Sequence, residues 1–311
     1  MPILPQRSEA VPQRAGHGGI IGRIAGCLVA VVVGAAGGGE ARAQREPAIQ
    51  REPAVQGESA AQGELASQEE PGGRRELETD RDSFTFAPTT TGAHTSILEA
   101  SYSFIDNQGG PAAHSFPELL LRRGVGEKVE LRLGFNYEAG GPGTVTGSEV
   151  GGEDIETEDE SRILYGAKVE TSEQQGWLPR SAAVLQGYTP VSGPSNQSTL
   201  VAGESFGWRF ANGWEWTSAM RYGTGFEKRD SFSQWAPSSV VKVPIGERWN
   251  VHAEYFGIFS TGKEIPINFQ CASLGGHVLA TENLEIGLRF GWGLNETSPA
   301  FFTNLGVGWR H

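Results

Sequence analysis

Gly203-Glu204-Ser205-Phe206-Gly207 spells GxSxG, the pattern in which a sharp strand-to-helix turn exposes a nucleophilic serine for acyl transfer. That chemistry needs the helix. Here Phe206, Trp208 and Phe210 carry an every-second-residue aromatic pattern past the serine, so the stretch reads as one uninterrupted strand. His252 and Glu254 stand two apart, which puts both on one face of a strand. An imidazole beside a carboxylate could relay a proton or ligate a metal. It is more often a hydrogen-bonded structural pair, and that reading is preferred. His277, Asp230 and the serines complete no local catalytic set, so neither enzymatic activity nor a cofactor or metal is expected. The run Glu149, Glu153, Asp154, Glu156, Glu158, Asp159 and Glu160 offers oxygens of the kind that hold calcium. It lacks the EF-hand order with its glycine and reads first as a solvated loop, with weak calcium binding or divalent bridging to a lipid headgroup as the secondary reading.

The elements that must position these groups announce themselves in Leu284 to Leu294. Leu284, Ile286, Leu288, Phe290, Trp292 and Leu294 alternate with Glu285, Gly287, Arg289, Gly291 and Gly293. Period-two alternation is a strand with two unlike faces. In a soluble sandwich the apolar face would be the core. The other face would then be solvated, and three glycines there would only weaken the strand. In an outer-membrane barrel the apolar face meets lipid, while small and charged residues share a confined lumen. Val129, Leu131, Leu133, Phe135 and Tyr137 against Glu130, Arg132, Gly134, Asn136 and Glu138 repeat the pattern.

The composition agrees with a barrel. The chain has 311 residues, 44 of them glycine, and a hydrophobic fraction of only 38%, and no run suits a mature membrane helix. The formal net charge is −12. So acidic a chain, without a basic stripe, repels phosphate backbones, and no nucleic-acid partner is expected. Arg14 and Arg23, an apolar run of about eleven residues from Cys27, and Ala41-Arg42-Ala43 have the order of a secretory signal, with cleavage expected between Ala43 and Gln44. The leader (1–43) carries four Arg against Glu9 and Glu40, so the mature chain is more acidic still. It keeps Cys271 as its one cysteine, which excludes an internal disulfide. Residues 44–95 form the next segment. Up to about Arg81 it is rich in Gln, Glu, Ala, Pro and Gly, with no aromatic side chain, and it is expected to be a disordered periplasmic linker.

From Ser96 to the end the chain resolves into about twelve strand-sized runs. They are Ser96 to Ile105, Ser115 to Gly124, Lys128 to Glu138, Ser161 to Glu170, Arg180 to Thr189, Thr199 to Phe210, Trp214 to Gly223, Trp235 to Pro244, Trp249 to Phe259, Phe269 to Ala280, Leu284 to Leu294, and Phe301 to Arg310. Tight connections ("VGE", "ANG", "IGER", "TEN") alternate with longer ones ("DNQGGPAAH", "TGFEKRDSFSQ", "STGKEIPIN", "NETSPA"). Short turns at one rim and longer loops at the other are the layout of a bacterial outer-membrane barrel. "TSEQQGWLP" is too long for its place among the tight turns, and "CASLGGHVLA" interrupts the parity at Gly275 and Gly276, leaving Cys271 unassigned to lumen or lipid. Trp214, Trp216, Met220 and Tyr222, with Phe206, Trp208 and Phe210, place aromatics near strand ends, as in lipid-headgroup girdles.

"PELLLRRGVGEKVELRLGF", "WNVHAEYFGIFS" and "LATENLEIGLRFGWGLNETSPAFFTNLGVGWRH" resemble the meta-pathway phenol-degradation family of outer-membrane, transporter-like proteins over roughly Pro117 to His311. Glu285 stands where that family often has an acidic residue, and Gly287, Gly291 and Gly293 fit its glycine-rich penultimate strand. The ending Trp309-Arg310-His311 departs from the terminal aromatic common in outer-membrane chains. The resemblance implies passage of hydrophobic or aromatic compounds and assigns no substrate residue.

The reading is therefore all-β: an antiparallel transmembrane β-barrel of about twelve strands, 96–311, in a Gram-negative-type outer membrane, passively passing small solutes. The expected lumen-lining path is Glu130, Arg132, His252, Glu254, Glu285, Arg289 and Arg310. Lipid and small-molecule solutes are the expected partners, and a protein partner of the linker stays open. The rivals are an outer-membrane enzyme acting on lipid and a structural or adhesion barrel with an occluded lumen.

Overall fold

The computed structural model describes residues 77–141, 159–193, 196–227 and 230–311. The leader, residues 44–76 and most of the acidic run lie outside this set. The described chain forms twelve strands: β1 (Ser96–Asp106), β2 (Ala113–Gly124), β3 (Val129–Gly140), β4 (Glu160–Ser172), β5 (Arg180–Ser192), β6 (Thr199–Arg209), β7 (Glu215–Glu227), β8 (Asp230–Ile245), β9 (Trp249–Thr261), β10 (Asn268–Thr281), β11 (Leu284–Gly293) and β12 (Phe301–Arg310). Each pairs antiparallel with its sequence neighbours, and β1 closes on β12 from Ile97↔Arg310 to Asp106↔Phe301. Closure removes every sheet edge, so all backbone ladder groups find partners without water, the condition for crossing hydrocarbon.

The barrel is inside out relative to a soluble protein. On β11, Ile286, Leu288 and Phe290 are 39, 42 and 44% exposed, whereas Glu285 and Arg289 are 2% and 1% exposed. Leu131, Leu133, Tyr165, Leu185, Leu200, Leu305 and Val307 continue the exposed apolar belt around the wall. So large a continuous apolar surface is stable only against lipid. Near the short-turn rim the outward side chains are Phe210, Trp214, Trp216, Trp249 and Trp309; toward the long-loop rim they include Tyr102, Phe116, Tyr222 and Phe290. These are the two aromatic girdles.

Three sequence expectations need correction. "TSEQQGWLP" is a tight hairpin after all: Gln175 and Leu178 exchange backbone hydrogen bonds of 3.0 Å in both directions around Gly176-Trp177. The extra residues extend the hairpin rather than the turn. The β10 parity is also continuous, with Cys271, Ser273, Gly275 and His277 all on the inner face and paired in unbroken register with β9. The two small glycines mimicked a phase change, and Cys271 is buried inside. Third, β7 and β8 stay paired as far as Glu227↔Asp230, because Thr224 to Phe226 and Ser231 to Ser233 keep a strand alternation in what reads as loop.

Candidate functional site: a luminal strap and the wall that holds it

Residues 77–95 do not form a linker outside the barrel. They run into the lumen as an irregular strap and return to β1, and Thr79, Asp80, Ser83, Phe84, Thr85, Phe86 and Ala87 are all buried. At the short-turn rim the returning limb is tied by His94 N donating to Gly124 O at 3.1 Å. Gly308 of β12 lets the other limb pass: a Cβ there would lie 2.3 Å from Thr79 Cγ2.

A strap without regular structure must satisfy its backbone groups some other way, and luminal carboxylates do this. Glu254 accepts from Phe84 N (3.0 Å), Thr85 N (2.7 Å) and Thr85 Oγ1 (2.8 Å). Glu99 accepts from Asp80 N at 3.1 and 3.2 Å, Glu130 from Thr91 N at 3.0 Å, and Glu170 from Thr90 N at 2.7 Å. Glu285 accepts from Thr79 Oγ1 at 2.6 Å. In the reverse direction, Arg122 donates to Glu78 O at 2.8 Å and Lys168 to Ala87 O at 3.3 Å.

Asp80 is the electrostatic centre. Its Oδ2 lies 2.5 Å from Arg132 Nη1, 2.8 Å from Lys168 Nζ and 3.8 Å from Arg122 Nε, while its Oδ1 accepts from Ala87 N at 3.1 Å. The same Arg122 pairs with Glu99 at 3.0 Å and Glu130 at 2.9 Å. Burial works to push the Asp80 carboxyl up, but Arg122, Lys168 and Arg132 together hold it well below its ordinary value. Asp82 is likewise held down against burial, by Lys242 at 2.8 Å and by His277. For Glu78, Lys242 and the Thr89 hydroxyl outweigh burial in the same direction. Such a network is stable only when complete, because each charge has left water and only its partners compensate.

The strap's turning point is apolar. Phe84 stacks on Phe256 with ring centroids 4.4 Å apart and 11° between planes, and Phe256 meets Phe302 edge-on at 5.8 Å. Ile105, Ala113, Ala236, Ile258 and Cys271 complete this cluster inside the long-loop half of the wall. Arg221 lies over both Phe84 and Phe86, at 4.7 and 4.9 Å from the ring centroids, the geometry of a cation–π contact.

All seven residues expected to line a lumen are buried on the inner face: Glu130, Arg132, His252, Glu254, Glu285, Arg289 and Arg310. Glu130 and Arg132 join the Asp80 network. Glu254 holds the strap's apex, pairs with Arg289 at 3.1 Å and accepts from Ser273 at 3.2 Å. Arg310 is turned to the rim, donating to Glu282 O at 2.6 Å and Asn283 Oδ1 at 3.2 Å. His252 and Glu254 are not a hydrogen-bonded pair: Glu254 is occupied by the strap, and neither ring nitrogen of His252 has a hydrogen-bond partner among the described residues. Glu99, Glu118, Arg122, Lys168, Arg221 and Lys242 were not singled out in the sequence, although strand parity alone places them inside. Asp80 and Asp82 carried no local signal.

Ser205 sits mid-strand on β6 with its hydroxyl donating to Ala87 O at 3.3 Å, so the GxSxG pattern here is a continuous strand and not a strand-to-helix elbow. In the acidic run, Asp159 accepts from Tyr137 at 2.8 Å and Glu160 pairs with Arg162 at 2.6 Å; the other members lie outside the described residues.

No family model and no curated protein matches the chain. Among solved structures it is similar to a COG4313 outer membrane channel from Pseudomonas putida F1, with TM-score 0.50 and 11% identity, covering 75% of this chain and 100% of that one. It is similar also to the NanC porin (TM-score 0.45, 8% identity, 69% and 98% covered) and to the translocator domain of the autotransporter NalP from Neisseria meningitidis (0.45, 10%, 71% and 89%). At these identities the likeness is one of fold. The chain is thus an all-β, twelve-stranded closed barrel of the outer-membrane kind whose lumen holds its own N-terminal strap.

Proposed function

We propose that the protein is an outer-membrane channel for small solutes, hydrophobic or aromatic ones foremost, closed at rest by the strap and opened when the strap shifts. The observation that carries the reading is the way the strap is held. Its two limbs rest on hydrogen bonds and ion pairs, whose groups water can solvate once the strap has moved, rather than on a continuous apolar core. Glu130, Lys168, Arg122 and Arg289 are at most 1% exposed, so no water-filled route runs past them with the strap in place. The apolar lining around Phe84, Phe256, Ile258 and Phe302 suits uncharged aromatic compounds better than sugars or ions. The resemblance to the phenol-degradation family supports the same solute class, and the channel and porin neighbours support passive transport in general.

The test is entry of phenol, a monosaccharide and chloride into liposomes containing the refolded chain or its Asp80→Asn variant. Phenol entry above empty vesicles, faster in the variant, is expected. Insertion without flux in either protein would overturn the channel reading. It would favour the second one, a closed structural barrel, which the buried lumen already recommends.

A further inference from the structure

Asp82, His252 and His277 come from three separate segments, the strap, β9 and β10, and their ligand atoms all lie within 4.8 Å of one another. The register explains the meeting. His252 pairs with Gly275 and His277 with Asn250, so the two imidazoles are diagonal inner-face neighbours, a distance that side chains of this length bridge. Gly275 makes the room: a Cβ there would sit 2.4 Å from His252 Nε2. The strap then delivers Asp82 from inside the lumen.

The cluster is not satisfied as it stands. His252 is 4% exposed and neither of its ring nitrogens makes a hydrogen bond among the described residues. His277 Nδ1 is 3.4 Å from Asp82 Oδ2, near enough to act on its charge but without hydrogen-bond geometry to it or to any other described residue. Buried imidazole nitrogens without partners are costly, and here they converge on one carboxylate. The charges that face the cluster are unbalanced too. Lys242 is the cation, with Asp82 at 2.8 Å and Glu78 at 3.6 Å, and Glu285 stands 3.9 Å from His277 Nε2. Asp82, Glu78 and Glu285 thus gather around a single ammonium, while the adjacent Glu254 and Arg289 pair with each other.

From this we infer that Asp82, His252 and His277 form a binding site for a first-row divalent metal ion of the zinc class, which latches the strap to the barrel wall. Two imidazoles and one carboxylate are a common zinc donor set, with ligand atoms roughly 3.3 Å apart around a tetrahedral ion, so side-chain rotations close the gap. The fourth position is left to water. With His277 ligating through Nδ1, its Nε2–H faces Glu285, which also accepts from Thr79 of the strap, the outer carboxylate that commonly orients a ligating imidazole. An ion reaches the site from the short-turn rim, where a cavity of about 190 Å³ is bounded by Leu77, Lys242, Asn250 and His277. The inference is independent of whether the barrel conducts.

The experiment is to refold the full chain in detergent, strip it with a chelator, and titrate it with zinc by calorimetry, with His252→Ala/His277→Ala and His252→Gln/His277→Gln as variants. Heat-dependent gel migration confirms that each has folded. The acidic run contributes to all of them alike, so the difference between proteins is what counts. One high-affinity zinc per chain is expected in the native protein and a loss of about 10- to 100-fold or more in both variants. Zinc should also slow trypsin cleavage at Arg81, the one arginine or lysine of the strap, in the native protein only. Equal zinc binding by native protein and a folded double variant, or no high-affinity binding by either, would overturn the proposal. Binding without protection of Arg81 would overturn the latch.

Discussion

The two halves of the lumen hold the same strap by opposite means. In the short-turn half Asp80, Arg122, Glu130, Arg132 and Lys168 form a closed set of charges; in the long-loop half Phe84 sits among Phe256, Phe302 and Ile258. A charge network is all or nothing, because removing one member strands the rest in a dry site. An apolar cluster loses stability in proportion to what is cut away. The comparison teaches that the strap's position is set by its charges, Glu254 at the apex included, and that the apolar packing of Phe84 is the tolerant part of its seat.

The sharpest way to break this comparison is Asp80→Asn, which leaves Arg122, Arg132 and Lys168 without their shared carboxylate. A loss of about 3–5 kcal/mol in strap docking is expected, read as rapid trypsin cleavage at Arg81 while gel migration shows the barrel still folded. Unchanged protection would mean the network is incidental. Next comes Glu254→Gln, which keeps the shape but weakens three strap hydrogen bonds and the pair with Arg289; about 2–3 kcal/mol is expected, with the same readout. Phe84→Leu should cost only about 1–2 kcal/mol, since apolar volume is nearly kept while the stacking on Phe256 and one of the two rings under Arg221 are lost. A loss matching that of Asp80→Asn would reverse the assignment of the two halves. The smallest effect is expected from Ser205→Ala, less than about 1 kcal/mol for one neutral hydrogen bond. Esterase activity in the native protein that disappears in this variant would return the GxSxG stretch to the catalytic reading set aside above.

The fold was legible because a barrel wall is written locally. Each strand displays its two faces every second residue, and the predicted run for β12, Phe301 to Arg310, coincides with the observed strand. Inner-face membership of Glu285 and Arg289 followed from the same alternation. What went unread lies where local pattern and partner come apart. Gly275 and Gly276 erased the alternation on β10 although the ladder continues. The strap's Thr-Asp-Arg-Asp-Ser-Phe-Thr-Phe stretch, from Thr79 to Phe86, has the polarity of a tether, because its partners are supplied from 88 residues away at Lys168 and 170 away at Glu254.

By itself, then, the sequence determined a closed antiparallel wall, its lipid face and its charged interior, since each follows from side-chain period and from the need of a membrane-crossing backbone to pair with itself. Only the tertiary structure decided what fills that interior. Whether a polar segment is a tether or a plug depends on whether distant carboxylates and cations converge to replace its water, and that convergence exists only once the barrel has closed around it.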